Sequence, residues 1–123
     1  MTEDLKLHAA PPLTEAQFQQ RIVDLATLTG WHVIHFRAVF TGGKWRTPLT
    51  GHAGAPDLIL AKGGRVLLAE LKTAKGRLSD EQRAWLDALG EHGRLWRPAN
   101  WDEIVATLTD PQGPAAGEQA AML

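Results

Sequence analysis

The sequence predicts an α/β domain in which a mixed β-sheet, an antiparallel meander of three strands plus one parallel strand, is flanked by helices. Three observations carry this reading. Two capping-box signatures, Thr14 with Gln17 and Ser79 with Gln82, each open an apolar stripe at helical spacing. Two short apolar runs, Pro56 to Lys62 and Arg65 to Lys72, are separated by Gly63-Gly64, a tight-hairpin signal. The second helix lies between the strand ending near Lys72 and a short strand at Arg94 to Arg97, so those two strands are expected to run parallel through a right-handed crossover.

The elements follow in order. Residues 1–13, ending in Pro11-Pro12, and residues 110–123, rich in Pro, Gly, Ala and Gln, read as irregular tails around a domain spanning 14–109. The first helix starts after Thr14, carries Phe18, Ile22, Leu25, Ala26 and Leu28 as its apolar stripe, and ends at Gly30. Trp31 to Phe40, rich in β-branched and aromatic residues, reads as one strand, and Thr41 to Ala55, with four glycines, as a long loop. After the hairpin, Ser79 opens the second helix, with Ala84, Trp85, Ala88 and Leu89 at helical spacing and Gly93 closing it. Trp101 to Leu108 forms the third helix. The tryptophans are expected in the core, except Trp45.

Composition sets bounds. The chain has 123 residues, 44% hydrophobic and 22% charged, which suits one globular domain. It has no cysteine, which excludes disulfides, iron–sulfur clusters, thiolate zinc sites and a cysteine nucleophile. No apolar run approaches the roughly 18 residues of a membrane span, and the N-terminus lacks a signal-peptide pattern, so a soluble cytoplasmic protein is expected. The net charge of −1 hides a segregation: Trp31 to Arg97 holds eleven Lys and Arg against six Asp and Glu, and the flanks hold two against eight. A basic centre permits a polyanion partner, although a solvated charged face accounts for it equally well.

Hairpin arithmetic brings three charges together. With Gly63 and Gly64 as the loop, paired positions sum to 127, so Asp57 lies opposite Glu70, with β-carbons roughly 4.5 to 5.5 Å apart, and Lys72 follows on the same face. Facing carboxylates repel, and a cation offsets that cost. Lys72 is one such cation; a hard metal such as Mg²⁺ on oxygen ligands is another. A solvated surface pair is the bland reading. The same-face neighbours Ile59, Ala61, Val66 and Leu68 and the other-face residues Leu58, Leu60, Leu67 and Leu71 are all apolar, which predicts a sheet covered on both sides.

Pro56-Asp57 followed by Glu70-Leu71-Lys72 resembles the PD-(D/E)xK nuclease signature. The longer set is similar to its VRR-NUC branch, found as small stand-alone phage and bacterial proteins: Gly54-Ala55-Pro56-Asp57-Leu58, Ala69-Glu70-Leu71-Lys72-Thr73, Gly76-Arg77-Leu78-Ser79, Gln82, Trp85-Leu86 and Trp96-Arg97-Pro98. The likeness covers Thr14 to Leu108 and implies a restriction-endonuclease-like fold. It also implies metal-dependent hydrolysis of DNA phosphodiesters with Mg²⁺ or Mn²⁺. By the same resemblance Asp57 and Glu70 match metal-binding acids, the Leu71 carbonyl completes the metal shell, Lys72 is the catalytic lysine, Glu15 is an additional acid and Gln82 a polar position of the site. Glu15 in a first helical turn and Gln82 in a capping box each also have a local explanation.

The resemblance further implies a homodimer, with Holliday-junction-resolvase-like action on branched DNA, in a bacterial or phage-infected cell. Lys44, Trp45 and Arg46, with Lys75 and Arg77, are the expected nucleic-acid contacts, Trp45 through stacking on an unpaired base. His52 lies in the glycine-rich loop near Asp57, and His32 and His35 have opposite strand parity; none belongs to a paired ligand motif. The competing readings are a non-catalytic nucleic-acid-binding or assembly module of the same fold, and a nicking or flap nuclease serving phage replication or packaging.

Overall fold

The computed structural model describes residues 12–36, 39–46 and 49–110, and the two tails read from the sequence fall largely outside these. Helix α1 (Glu15–Leu28) is followed by β1 (His32–His35), β2 (Val39–Thr41), β3 (Lys44–Arg46), β4 (Leu58–Lys62) and β5 (Arg65–Leu71). Helix α2 (Asp80–Leu89), a 3₁₀ turn at Gly90–His92, β6 (Gly93–Trp96), a 3₁₀ turn at Pro98–Asn100 and α3 (Trp101–Thr109) complete the chain. The main sheet has the order β1-β4-β5-β6. Its first two pairings are antiparallel and β5 with β6 is parallel. This is the predicted mixed sheet with three helices.

Both capping boxes form as the sequence implies. Thr14 Oγ1 accepts from the Gln17 N–H at 3.1 Å while the Gln17 side chain accepts from the Thr14 N–H at 3.0 Å. Ser79 and Gln82 repeat the exchange at 3.1 and 2.9 Å. The hairpin register is also the expected one, with Leu58 opposite Ala69 and Lys62 opposite Arg65.

One face of the sheet forms the core. Leu58, Leu60, Leu67, Ala69, Leu71 and Trp96 pack against Phe18, Ile22 and Ala26 of α1 and Ile104 and Leu108 of α3, all buried. Fully burying such a Leu, Ile or Phe contributes roughly 1.5–3 kcal/mol. Trp31, also buried, ties the end of α3 to the sheet: its indole N–H donates to the Leu108 carbonyl at 3.0 Å, and the Arg65 guanidinium lies 5.1 Å from its ring centre.

Four expectations need correction. The strand read as Trp31 to Phe40 is two, β1 and β2, and the long loop contains β3, which pairs with β2 in a separate two-stranded ribbon. Gly42 and Gly43 (φ +58° and +77°) make the same two-residue turn as Gly63 and Gly64 (φ +57° and +83°), a conformation that glycine adopts freely. Leu28 is exposed, because it falls at the last turn of α1 beyond the edge of the core. Helix α2 gives way to the 3₁₀ turn at Gly90, three residues before the expected Gly93. The second sheet face is not fully covered: Ile34, Phe36 and Val66 are 56%, 49% and 40% exposed, since α2 packs over β6 and leaves the β1 side open. Among the described residues, no helix is long and apolar enough to cross a membrane.

Candidate active site

The site forms where β4 and β5 end together. Asp57 stands one residue before β4, and the register that pairs Leu58 with Ala69 sets it across from Glu70. Two backbone contacts hold it there. Its Oδ2 accepts the Leu71 N–H at 2.8 Å, and its carbonyl accepts the Phe36 N–H at 3.2 Å. Asp57 thus joins the end of β1 to the end of β5.

Glu70 is 3% exposed, the buried charged side chain among the described residues. Its Oε2 accepts from Gln82 Nε2 at 3.3 Å and lies 3.7 Å from Lys72 Nζ, an ion pair longer than a hydrogen bond. Its Oε1 is buried without a hydrogen-bond partner. Burial pushes the Glu70 pKa up to about 8, the neighbouring Asp57 charge pushes the same way, and Lys72 opposes them. The pair therefore holds a proton near neutral pH.

Gln82 makes the capping exchange and a contact to Glu70 at once. Its Oε1 takes the Ser79 N–H, so the amide nitrogen is the end directed at Glu70. One side chain caps α2 and donates to the site.

Lys72 continues β5, its N–H donating to the Trp96 carbonyl at 3.1 Å. The following turn folds back beneath it: a β-carbon at Gly76 would lie 3.3 Å from Lys72 Cδ. Arg97 clamps that turn by donating from Nη1 to the Thr73 carbonyl at 2.8 Å and the Gly76 carbonyl at 2.6 Å. Sequence reasoning missed this role, since the only trace of it was the resemblance at Trp96-Arg97-Pro98.

Residues 46–102 match the VRR-NUC domain family. The match covers somewhat less than half of the chain. No curated protein and no solved structure matches the chain. The VRR-NUC match runs from the end of β3 into the first turn of α3, a shorter stretch than the likeness read from Thr14 to Leu108. It includes Asp57, Glu70, Leu71, Lys72 and Gln82, and the matched family implies a nuclease-type function with DNA as the substrate class.

The other expected residues of the VRR-NUC site lie as follows. Glu15 is exposed in the first turn of α1, and among the described residues no three His, Asp or Glu side chains gather as a metal-holding group. Lys75 and Arg77 are exposed in the segment after Lys72. Lys44, Trp45 and Arg46 are exposed on the separate β2–β3 ribbon, on a strand and not in a loop. His52 is exposed and contributes its backbone carbonyl, which accepts from Trp85 Nε1 at 3.3 Å, beside the Ala53 carbonyl at 3.1 Å. These bonds dock the Gly51–Ala55 segment on α2.

Gly54 makes that docking close. A β-carbon there would lie 2.7 Å from the Glu81 carbonyl carbon and 2.9 Å from the Gln82 nitrogen, at φ +93°. Gly54→Ala is therefore expected to push the Asp57 segment off α2, at a cost of about 1–3 kcal/mol from strain and overlap together. Gly63→Ala is the comparison, at a positive φ of +57° that L residues tolerate better and with nothing within 4 Å. In thermal melts Gly54→Ala should fall well below Gly63→Ala and lose cleavage with it; equal melting points would show that the contact does not position the site.

Proposed function

We propose that this VRR-NUC domain is a metal-dependent endodeoxyribonuclease that hydrolyses phosphodiester bonds in branched DNA as a homodimer. The observation that carries the reading is Glu70: a buried carboxylate facing Asp57, with one oxygen lacking any partner, beside Lys72. A scaffold gains nothing from such a pair.

The donor set suits a hard divalent cation, Mg²⁺ or Mn²⁺. Glu70 Oε1 is unpartnered, the Asp57 carboxylate is adjacent, and all the donors, with the Leu71 carbonyl, are oxygens. Asp57, Glu70 and Leu71 would hold it, with Glu15 able to act only as an additional acid through water. Bound there, the ion would supply positive charge to the scissile phosphate and acidity to water. Lys72 places a proton-carrying amine at the same point, where it stabilises charge growing on the phosphate. Gln82 holds Glu70 in orientation from above. Lys75 and Arg77 on one side, and Lys44 and Arg46 on the ribbon, supply contacts to the DNA backbone, with Trp45 beside them as a stacking surface.

The open sheet face supports the homodimer. Ile34, Phe36 and Val66 present apolar surface that a second copy would bury, which sedimentation velocity would reveal. The decisive assay is cleavage of linear duplex, flap and four-way DNA with Mg²⁺ or Mn²⁺ against an EDTA control. Metal-dependent products are expected, most from the branched substrates. Binding without any cleavage would favour a non-catalytic module of the same fold.

A further inference from the structure

Outside the Asp57–Glu70–Lys72 cluster, the β2–β3 ribbon carries chemistry that the core does not use. Phe40 and Trp45 are direct cross-strand partners, 57% and 72% exposed. Their ring centres are 5.3 Å apart and the planes are tilted by 53°. Strand alternation sets this pair on one side of the ribbon and positions 44 and 46, Lys and Arg, on the other. The ribbon follows β1, whose next residue, Phe36, donates its N–H to the Asp57 carbonyl, so it leaves the sheet at the end where the site lies.

Its charge indicates the partner. The 26 residues from Trp31 to Pro56 contain three Lys or Arg and no Asp or Glu. Exposed aromatic faces on an acid-free, cationic segment match a polyanion that itself offers flat π surfaces. In continuous duplex those surfaces are already stacked on one another; they are free in a single strand.

We propose that Phe40 and Trp45 form a stacking platform for an unpaired base, with Lys44 and Arg46 on the neighbouring phosphates, so that the substrate class is DNA with a single-stranded segment near the scissile bond. The proposal rests on the nuclease reading above and adds to it a means of discrimination. Phe40 was not among the sequence-derived contacts; it becomes visible only once β2 and β3 pair.

The test uses the full chain in EDTA, with fluorescence anisotropy on a linear duplex and on the same duplex bearing a single-stranded flap, at two salt concentrations. A 2-aminopurine at the first unpaired position reports stacking. Trp45→Ala and Phe40→Ala should each weaken flap binding about tenfold while duplex binding changes by less than about twofold, and should relieve the 2-aminopurine quenching. Trp45→Phe should retain most of both signals. Lys44→Gln with Arg46→Gln should weaken both DNAs and flatten the salt dependence.

Melting points should not move, since neither ring belongs to the core. Equal losses on duplex and flap, or no loss on either, would overturn the platform while leaving the nuclease reading in place. So would a switch from dimer to monomer on Trp45→Ala with DNA binding intact, which would make the pair an interface between copies. If the wild-type chain binds neither DNA, the nucleic-acid reading fails and the platform fails with it.

Discussion

Glu70→Gln is expected to abolish cleavage and, in metal-free protein at about pH 8, to raise the melting temperature. The first effect follows from removing one of two carboxylates assigned to the metal. A loss of several kcal/mol in transition-state stabilisation corresponds to at least about a thousandfold in rate. The second follows from the raised pKa. Glu70 keeps its proton in the folded state up to about 8, against an ordinary value of 4.5. Between those values the folded protein binds more protons than the unfolded chain, so wild-type stability falls as pH rises. Below about 4.5 both states are protonated and the penalty is absent; above about 8 it is fully developed.

Glutamine is neutral at every pH and can still meet Gln82, so the variant escapes the penalty. The difference in melting temperature should open from about pH 4.5 upward and level off near 8. A gain of about 1 kcal/mol would appear as about 4–8 °C in a domain of this size. Identical melting curves at both ends of that range, together with retained metal-dependent cleavage, would remove Glu70 from the site.

Asp57 behaves differently, although the two acids look equivalent in the sequence. Its carboxylate accepts the Leu71 N–H, so truncation to alanine leaves a backbone donor without its partner, at a cost of about 1–3 kcal/mol. That cost opposes any relief of repulsion. Asparagine keeps an acceptor at the same place and separates loss of charge from loss of the backbone bond.

This asymmetry marks what could be read before the fold was known. The opposition of Asp57 and Glu70 was legible because a two-residue turn with strict alternation leaves one register, and Gly63-Gly64 is flanked by long apolar runs that fix it. Gly42-Gly43 makes the same turn, yet its flanks are only three residues each and hold one apolar pair, too little to mark a ribbon in the sequence. Helix starts were legible because capping is a local exchange of hydrogen bonds. The covering of a sheet face is not local. Ile59 and Val66 are as apolar as Leu60 and Leu67, and only the placement of α2 over β6 decides that one set is left partly open. The double role of Gln82 has the same origin, since its capping geometry is written in four residues but its reach to Glu70 depends on where the crossover sets α2 down.

Lys72→Met should separate catalysis from metal binding. The lysine contributes its charge, held 3.7 Å from Glu70 Oε2, and methionine preserves most of the stem that packs on Gly76. Losing a group that handles protons or charge in the transition state costs about 10²–10⁴-fold in rate, and no added metal should restore it. Metal affinity is governed by two opposing consequences. Without the neighbouring ammonium, the carboxylate pair is a more negative site for a cation. Lys72 also holds the Glu70 pKa down, so its removal drives that pKa higher and leaves more of the pair protonated at neutral pH. The two effects part company with pH. Near pH 7 they offset one another, whereas at about pH 9 the proton competes less and the more negative pocket dominates, so calorimetry should find Mg²⁺ bound more tightly by the variant than by wild type. A variant that binds the ion more weakly at both pH values would make Lys72 a support of the metal pocket, and one that cuts DNA at the wild-type rate would strip it of any part in the reaction.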